Sequence, residues 1–228
     1  MKRISAVLLV ASVAACAPVV THGPRVEAGT SLVATAGASY STCDEEACDL
    51  ALLPQASLGL RTGRPAGQAA PGLSAGGSLS LNLLSSDVDL YAQAPTGLTG
   101  ALEAGGGVLL SLAHTMPYVQ LGRTAADGSG WYTTQGFVWM SRRQADYTLT
   151  GGLDEEEPDE MRPRYWAPSI AYRTRGASGL QVYAAGAFGT ADVYAFDDAQ
   201  KVGRQPVRFL MAGVIVQGSP ELLLPWRF

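Results

Sequence analysis

Few residues in this chain could do chemistry, and their spacing narrows what they could do. The two histidines, His22 and His114, lie far apart, so no histidine pair is available to hold a metal or relay a proton. A Ser-His-Asp site would have to use His114, which falls at a predicted turn and reads as a rim or turn histidine. Asp87 and Asp89 share one face of a predicted strand, a spacing that suits a solvated face better than an acid–base pair. Acids gather in two runs. One is Asp44, Glu45, Glu46 and Asp49; the other is Asp154, Glu155, Glu156, Glu157, Asp159 and Glu160. Carboxylates so placed could collect Ca²⁺, but the alternating ligands and the glycine of a calcium loop are missing. Gly105-Gly106-Gly107 has no lysine and no following helix, so it is read as a bend or close approach within a strand. The expectation is therefore a protein with no catalytic residues, no metal site and no cofactor.

The third reactive type is cysteine, and Cys16 has a context of its own. Met1-Lys2-Arg3 precedes an apolar run from Ile4 to Ala15, the layout of a secretory signal. That run is too short to remain as a membrane helix, which needs about 20 apolar residues. It ends in Val13-Ala14-Ala15-Cys16. This string resembles the lipobox of bacterial lipoproteins, with Val13 where leucine is usual. The resemblance implies cleavage before Cys16 and acylation of its thiol. Ala17 stands where an aspartate often retains such proteins at the inner membrane, so the resemblance also implies the outer membrane as destination. Each buried acyl CH₂ contributes about 0.8 kcal/mol, so several chains anchor far more firmly than one.

Removal of residues 1–15 takes away Lys2 and Arg3, leaving 14 basic side chains against 20 acidic ones and a net charge of −6. Nucleic acid is then excluded as a partner, since its binding needs a basic face. Partners are expected to be the membrane, reached through the lipid, and proteins of the envelope. Export would carry Cys43 and Cys48 into an oxidising compartment, where so close a pair is expected to form a disulfide. Closing so small a loop stabilises by only about 2 kcal/mol. A redox or metal pair is the other reading, weakened by the absence of a nearby histidine.

The elements that must position these residues are strands. After a short Ala/Pro/Gly-rich tether, side chains alternate with a period of two almost everywhere. Val26, Ala28, Thr30, Leu32, Ala34, Ala36, Ala38 and Tyr40 fall on one face, and Glu27, Gly29, Ser31, Val33, Thr35, Gly37 and Ser39 on the other. The pattern predicts about ten strands, near 25–41, 52–62, 73–84, 87–95, 100–113, 117–124, 130–148, 163–175, 179–191 and 206–218. The fold class is all-β, an antiparallel up-and-down β-barrel of about 8–10 strands. Residues 1–15 form the signal peptide, 16–24 the lipidated N-terminus and tether, and 25–228 the barrel domain.

Which face is buried separates two architectures. The polar face is mostly Gly, Ser, Thr, Gln and Asn, and the mature chain has a single lysine, Lys201. A soluble barrel would carry many charges on its outer face, whereas small uncharged polar residues suit the packed interior of a membrane barrel. That reading points Leu58, Leu79, Leu81, Leu90 and Val119 outward, and Ser57, Ser80, Asn82 and Gln120 inward. Trp131, Tyr132, Trp139, Tyr165, Trp166 and Tyr172 would supply an interfacial aromatic girdle. Leu222, Leu224, Trp226 and Phe228 resemble the closing strand of bacterial outer-membrane barrels, interrupted by Pro220 and Pro225. The reading is a lipid-anchored, non-enzymatic outer-membrane barrel with a structural or surface-exposed role. The alternative is a lipid-tethered soluble barrel or sandwich in the periplasm that binds an apolar ligand or an envelope partner.

The anchor can be tested directly. Cys16→Ser should abolish incorporation of a labelled fatty acid and block lipoprotein-type processing; continued labelling of the serine variant would remove the anchor from consideration.

Overall fold

The computed structural model describes residue 20 and residues 22–23, 25–41, 52–67, 70–80, 86–93, 102–110, 115–125, 127–139, 160–174, 179–194 and 201–218. They form ten strands: β1 (Gly29–Ser41), β2 (Leu52–Arg64), β3 (Gly72–Ser80), β4 (Ser86–Gln93), β5 (Glu103–Leu110), β6 (Thr115–Thr124), β7 (Gly130–Trp139), β8 (Glu160–Arg173), β9 (Leu180–Tyr194) and β10 (Lys201–Gly218). Each strand pairs antiparallel with its chain neighbours, and β10 returns to β1 to close the ring. Closure is long and regular, running from Leu32 opposite Gly218 to Ser41 opposite Phe209.

Because directly opposed residues of an antiparallel pair share a face, one register divides the whole barrel into an inside and an outside. Val119 and Leu58 are 59% and 55% exposed, while Gln120, next in the chain to Val119, is 1% exposed. Leu60, Leu79, Leu121, Ile170, Val182, Leu210 and Val214 join the outer set. The inner set mixes polar Ser39, Arg61, Ser74, Thr134, Gln181 and Gln217 with Met116, Val138, Tyr165, Phe209, Met211 and Ile215. The expected polarity of the faces is met at Leu58, Leu79, Val119 and Gln120; the side chains of Ser80, Asn82, Leu81 and Leu90 lie outside the described residues.

The ten-strand meander puts connections 42–51, 81–85, 111–114, 140–159 and 195–200 at one end, called here the loop rim. Connections 65–71, 94–102, 125–129 and 174–179 lie at the other, the turn rim, where β1 begins and β10 ends. The turn between β6 and β7 shows how such a connection forms. The Gly128 amide donates to the Ala125 carbonyl at 3.0 Å, and the Asp127 carboxylate accepts from the Ser129 amide at 3.0 Å. Gly128 takes φ +82°, open to glycine at little steric cost.

Three expectations at strand ends are corrected. β1 begins at Gly29 rather than residue 25, since Gly29 at φ +85° turns the chain out of the barrel interior. β10 begins at Lys201 rather than residue 206, its first rungs kept in the ladder by an irregularity between Lys201 and Gly203. Closure is performed by Phe209–Gly218 of β10, not by the C-terminal string ending in Phe228, which lies outside the described residues.

Glycine pairs make room for large inward side chains. Gly37 and Gly213 face each other across the β1–β10 seam, and Gly213 also opposes Tyr183. A Cβ on Gly37 would stand 2.8 Å from the Tyr183 hydroxyl, and one on Gly213 2.8 Å from its ring. The tyrosine thus lies over bare backbone at the seam, as aromatic rings often do over strand glycines. Gly213→Val should destabilise the barrel by about 1–3 kcal/mol, measured as a fall in the urea midpoint in detergent micelles. Gly203→Ala, whose Cβ meets nothing within 4 Å, should move it by no more than about 0.5 kcal/mol.

Candidate functional site in and around the barrel

Outward aromatic side chains collect at two levels. Near the turn rim Trp131 opposes Tyr172. Toward the loop rim Phe137 opposes Trp166 and Trp166 opposes Phe188. Their rings pack at tilted angles, with Phe137–Trp139 and Trp166–Phe188 centroids 6.2 and 6.0 Å apart. Between the two levels, the outward polar side chains on β7 satisfy one another. The Trp166 indole N–H donates to Gln135 Oε1 at 2.9 Å, Gln135 Nε2 donates to Thr133 Oγ1 at 3.1 Å, and Thr133 Oγ1 donates to the Ser169 carbonyl at 2.8 Å. Such a relay gives these polar groups partners on an apolar surface and lowers the cost of placing them there. Of the six residues expected in the girdle, Trp131, Trp139, Trp166 and Tyr172 face outward. Tyr132 and Tyr165 face inward, because each sits one position out of phase with an outward tryptophan. Phe137 and Phe188, absent from the expected girdle, also face outward.

The interior has two layers. Toward the loop rim, Leu109, Met116, Val138, Tyr165, Ala187, Phe209 and Met211 pack into an apolar cluster, with Tyr165 edge-on to Phe209 at 5.6 Å. Toward the turn rim the interior is polar. There Arg61 donates to Ser74 Oγ at 2.8 Å, Tyr132 donates to Gln181 Oε1 at 2.6 Å, and Gln217 donates to Ser31 Oγ at 3.2 Å.

The N-terminal segment fills part of this polar layer. Glu27 meets Arg173 at 2.6 Å at the turn rim, and Val26 lies against Gly63 at the end of β2. Farther in, Gly23 packs flat against the Tyr132 ring, where a Cβ would be 3.3 Å from two ring carbons. The His22 ring lies with Nδ1 2.9 Å from the Gly23 carbonyl and Nε2 2.9 Å from the Tyr118 hydroxyl. The tautomer with the proton on Nδ1 satisfies both, donating to the carbonyl and accepting from the tyrosine. Gln120 Nε2 clamps the backbone, donating to the His22 carbonyl at 2.8 Å and to Thr134 Oγ1 at 2.9 Å. Val20 and Val26 join the apolar cluster of the interior. Part of the expected tether, at Val20, His22 and Gly23, is therefore an inner plug. The only hint in the sequence was a Val19-Val20 pair in an otherwise Ala/Pro/Gly-rich stretch.

Cys16, Cys43, Cys48, His114 and the acidic runs up to Asp159 lie outside the described residues, and of Asp87 and Asp89 only the register is described, opposite Ser78 and Gly76. Gly105-Gly106-Gly107 stands within β5, as expected for a strand glycine run. Gly72-Leu73-Ser74-Ala75-Gly76 spells a nucleophile elbow in letters alone. It lies inside β3, with no strand-to-helix turn, and Ser74 Oγ is occupied by Arg61. Among the described residues no three metal-ligating side chains gather. What the interior can do chemically is hold a peptide segment by hydrogen bonds.

Gln120→Leu removes both clamp donors while roughly preserving volume. The His22 and Gly23 amides should then lose about tenfold or more of their hydrogen-exchange protection, as expected when a buried hydrogen bond worth about 1–3 kcal/mol is left unmade. Exchange in the β8–β9 ladder should be unchanged.

No protein-family description matches this chain, and no curated protein matches it. Among solved structures, one described as "NanC porin structure in rhombohedral crystal form" aligns over 80% of this chain and 98% of its own, at 12% identity and a TM-score of 0.32.

Proposed function

We propose that this protein is a membrane-embedded barrel of the bacterial outer membrane, lipid-anchored through Cys16, closed by its own N-terminal segment and without enzymatic activity. Its role is structural or surface-exposed. The observation that carries this reading is the outer face, an apolar wall bounded by aromatic side chains at two levels around an interior that is polar at one end. This is the polarity of a barrel whose solvent is lipid. A closed ring also satisfies every ladder N–H and C=O internally, which a lipid environment demands.

The interior argues against a wide pore. Ten strands enclose little space, and side chains and the plug occupy it. The plug also constrains the anchor. Three residues lie between Cys16 and Val20, and the four steps reach about 14 Å at full extension.

The tethered soluble barrel would place Leu58, Leu60, Leu79, Val119, Leu121, Ile170 and Leu210 in water, an apolar area far beyond what monomeric soluble proteins expose. Solubility separates the two. With Cys16 replaced within a cleavable signal peptide, the protein should stay in the membrane fraction and need detergent for extraction. Recovery of a folded, β-rich monomer in detergent-free buffer would overturn the reading. In vesicles, Val119→Arg should cost about 2–4 kcal/mol of stability.

A further inference from the structure

We propose that the outer wall of β8, β9 and β10 next to the loop rim binds the phosphate groups of anionic lipids. The proposal rests on the membrane reading above and names the lipid chemistry it would meet at this edge. Five basic residues occupy this wall: Arg162 and Arg164 on β8, and Lys201, Arg204 and Arg208 on β10. Four successive rungs carry them, with Lys201 on the last, opposite Tyr194. Arg208 shares a rung with Phe188 and Trp166. Arg164 follows, opposite Thr190. Arg162 and Arg204 then flank Asp192. The cations therefore begin where the apolar wall and its aromatic ring end, at the depth where headgroup phosphates lie.

Their concentration is not a property of the whole barrel. The mature chain has 14 basic side chains, and five are here. At the turn rim the exposed outward arginines Arg64 and Arg123 stand alone on separate strands, β2 and β6. Within the patch, among the described side chains, one carboxylate serves two cations. Asp192 accepts from Lys201 at 2.6 Å and from Arg204 at 2.8 Å. With two cations on one carboxylate oxygen, Asp192 offsets one of their positive charges. The Arg162 guanidinium lies 4.2 Å over the Tyr194 ring, which fixes it beside the same rung. By register Glu160, opposite Tyr194, is the second acidic residue on these rungs, so five basic residues stand there with two acidic ones. Guanidinium groups suit phosphate because they donate two parallel hydrogen bonds to it.

The full chain in dodecylmaltoside micelles, doped with dioleoyl phosphatidic acid or with dioleoylglycerol, tests this by native mass spectrometry. The wild type should retain phosphatidic acid and not the phosphate-free lipid. Arg164→Gln with Arg208→Gln should lower that retention about tenfold or more, while the turn-rim pair Arg64→Gln with Arg123→Gln leaves it unchanged. Equal retention by the two double variants, or no preference for the phosphate lipid, would overturn the proposal. Retention that appears only after Asp154, Glu155, Glu156, Glu157 and Asp159 are made amides would also overturn it, naming the acidic segment before β8 as the occupant. Partition of the unlipidated chain into vesicles, measured in parallel, separates this failure from failure of the membrane reading.

Discussion

Closure of β1 on β10 is the constraint from which the rest of this structure follows. A strand edge left open would present a row of unpaired amides and carbonyls, costly in an apolar medium and adhesive in water. Here the seam runs from Leu32 and Gly218 to Ser41 and Phe209 without a break. Once the ring is closed, the register at each pair is shared by all. A slip of β6 by one residue would carry Gln120 to the outside and Val119 to the inside. The seam also sets where bulk can go, because Gly37 and Gly213 face each other there and leave backbone bare for Tyr183 to cover.

A closed ring of ten strands must then be filled. Near the loop rim the filling is apolar, with Tyr165 and Phe209 in edge contact and Met116, Val138 and Met211 around them. Near the turn rim it is polar, and the chain supplies its own ligand. Gln120 holds the His22 carbonyl, Tyr118 holds the His22 ring, and Arg173 meets Glu27 at the entrance. A peptide segment brings its own donors and acceptors, so each one buried needs a partner from the wall. The interior glutamines, with both donor and acceptor atoms, meet that need more readily than aliphatic residues would.

The outside is organised by the same register with the opposite preference. Leucine and valine cover the middle, tryptophan and phenylalanine its edges, and arginine the wall beyond them on β8 and β10. Gln135 and Thr133 interrupt this order and are tolerated because Trp166 and the Ser169 carbonyl complete their hydrogen bonds. Charge is thereby densest in one sector of one rim, with Asp192 as its local counter-ion, while Arg64 and Arg123 are single charges at the other rim.

The fold was readable because its signal is local. Alternation along a strand needs only neighbours in sequence, so the ten strands, their order and the facing of Leu58, Leu79, Val119 and Gln120 could be read from residue types alone. The lipobox resemblance and the cysteine pair are local for the same reason. What the tertiary structure decided are contacts between residues distant in sequence. His22 meets Tyr118 and Gln120 across most of the first half of the chain, and nothing in the Ala/Pro/Gly-rich composition around His22 announces it. Alternation alone puts Tyr132 and Tyr165 out of phase with Trp131 and Trp166 and so inside, but only the fold gives Tyr132 its partner Gln181 and Tyr165 its partner Phe209. The basic wall is likewise invisible in the linear order, because Arg164 and Arg208 become neighbours only when β9 pairs with both of their strands. Alternation fixes which face a side chain takes, but only strand pairing fixes what it meets there.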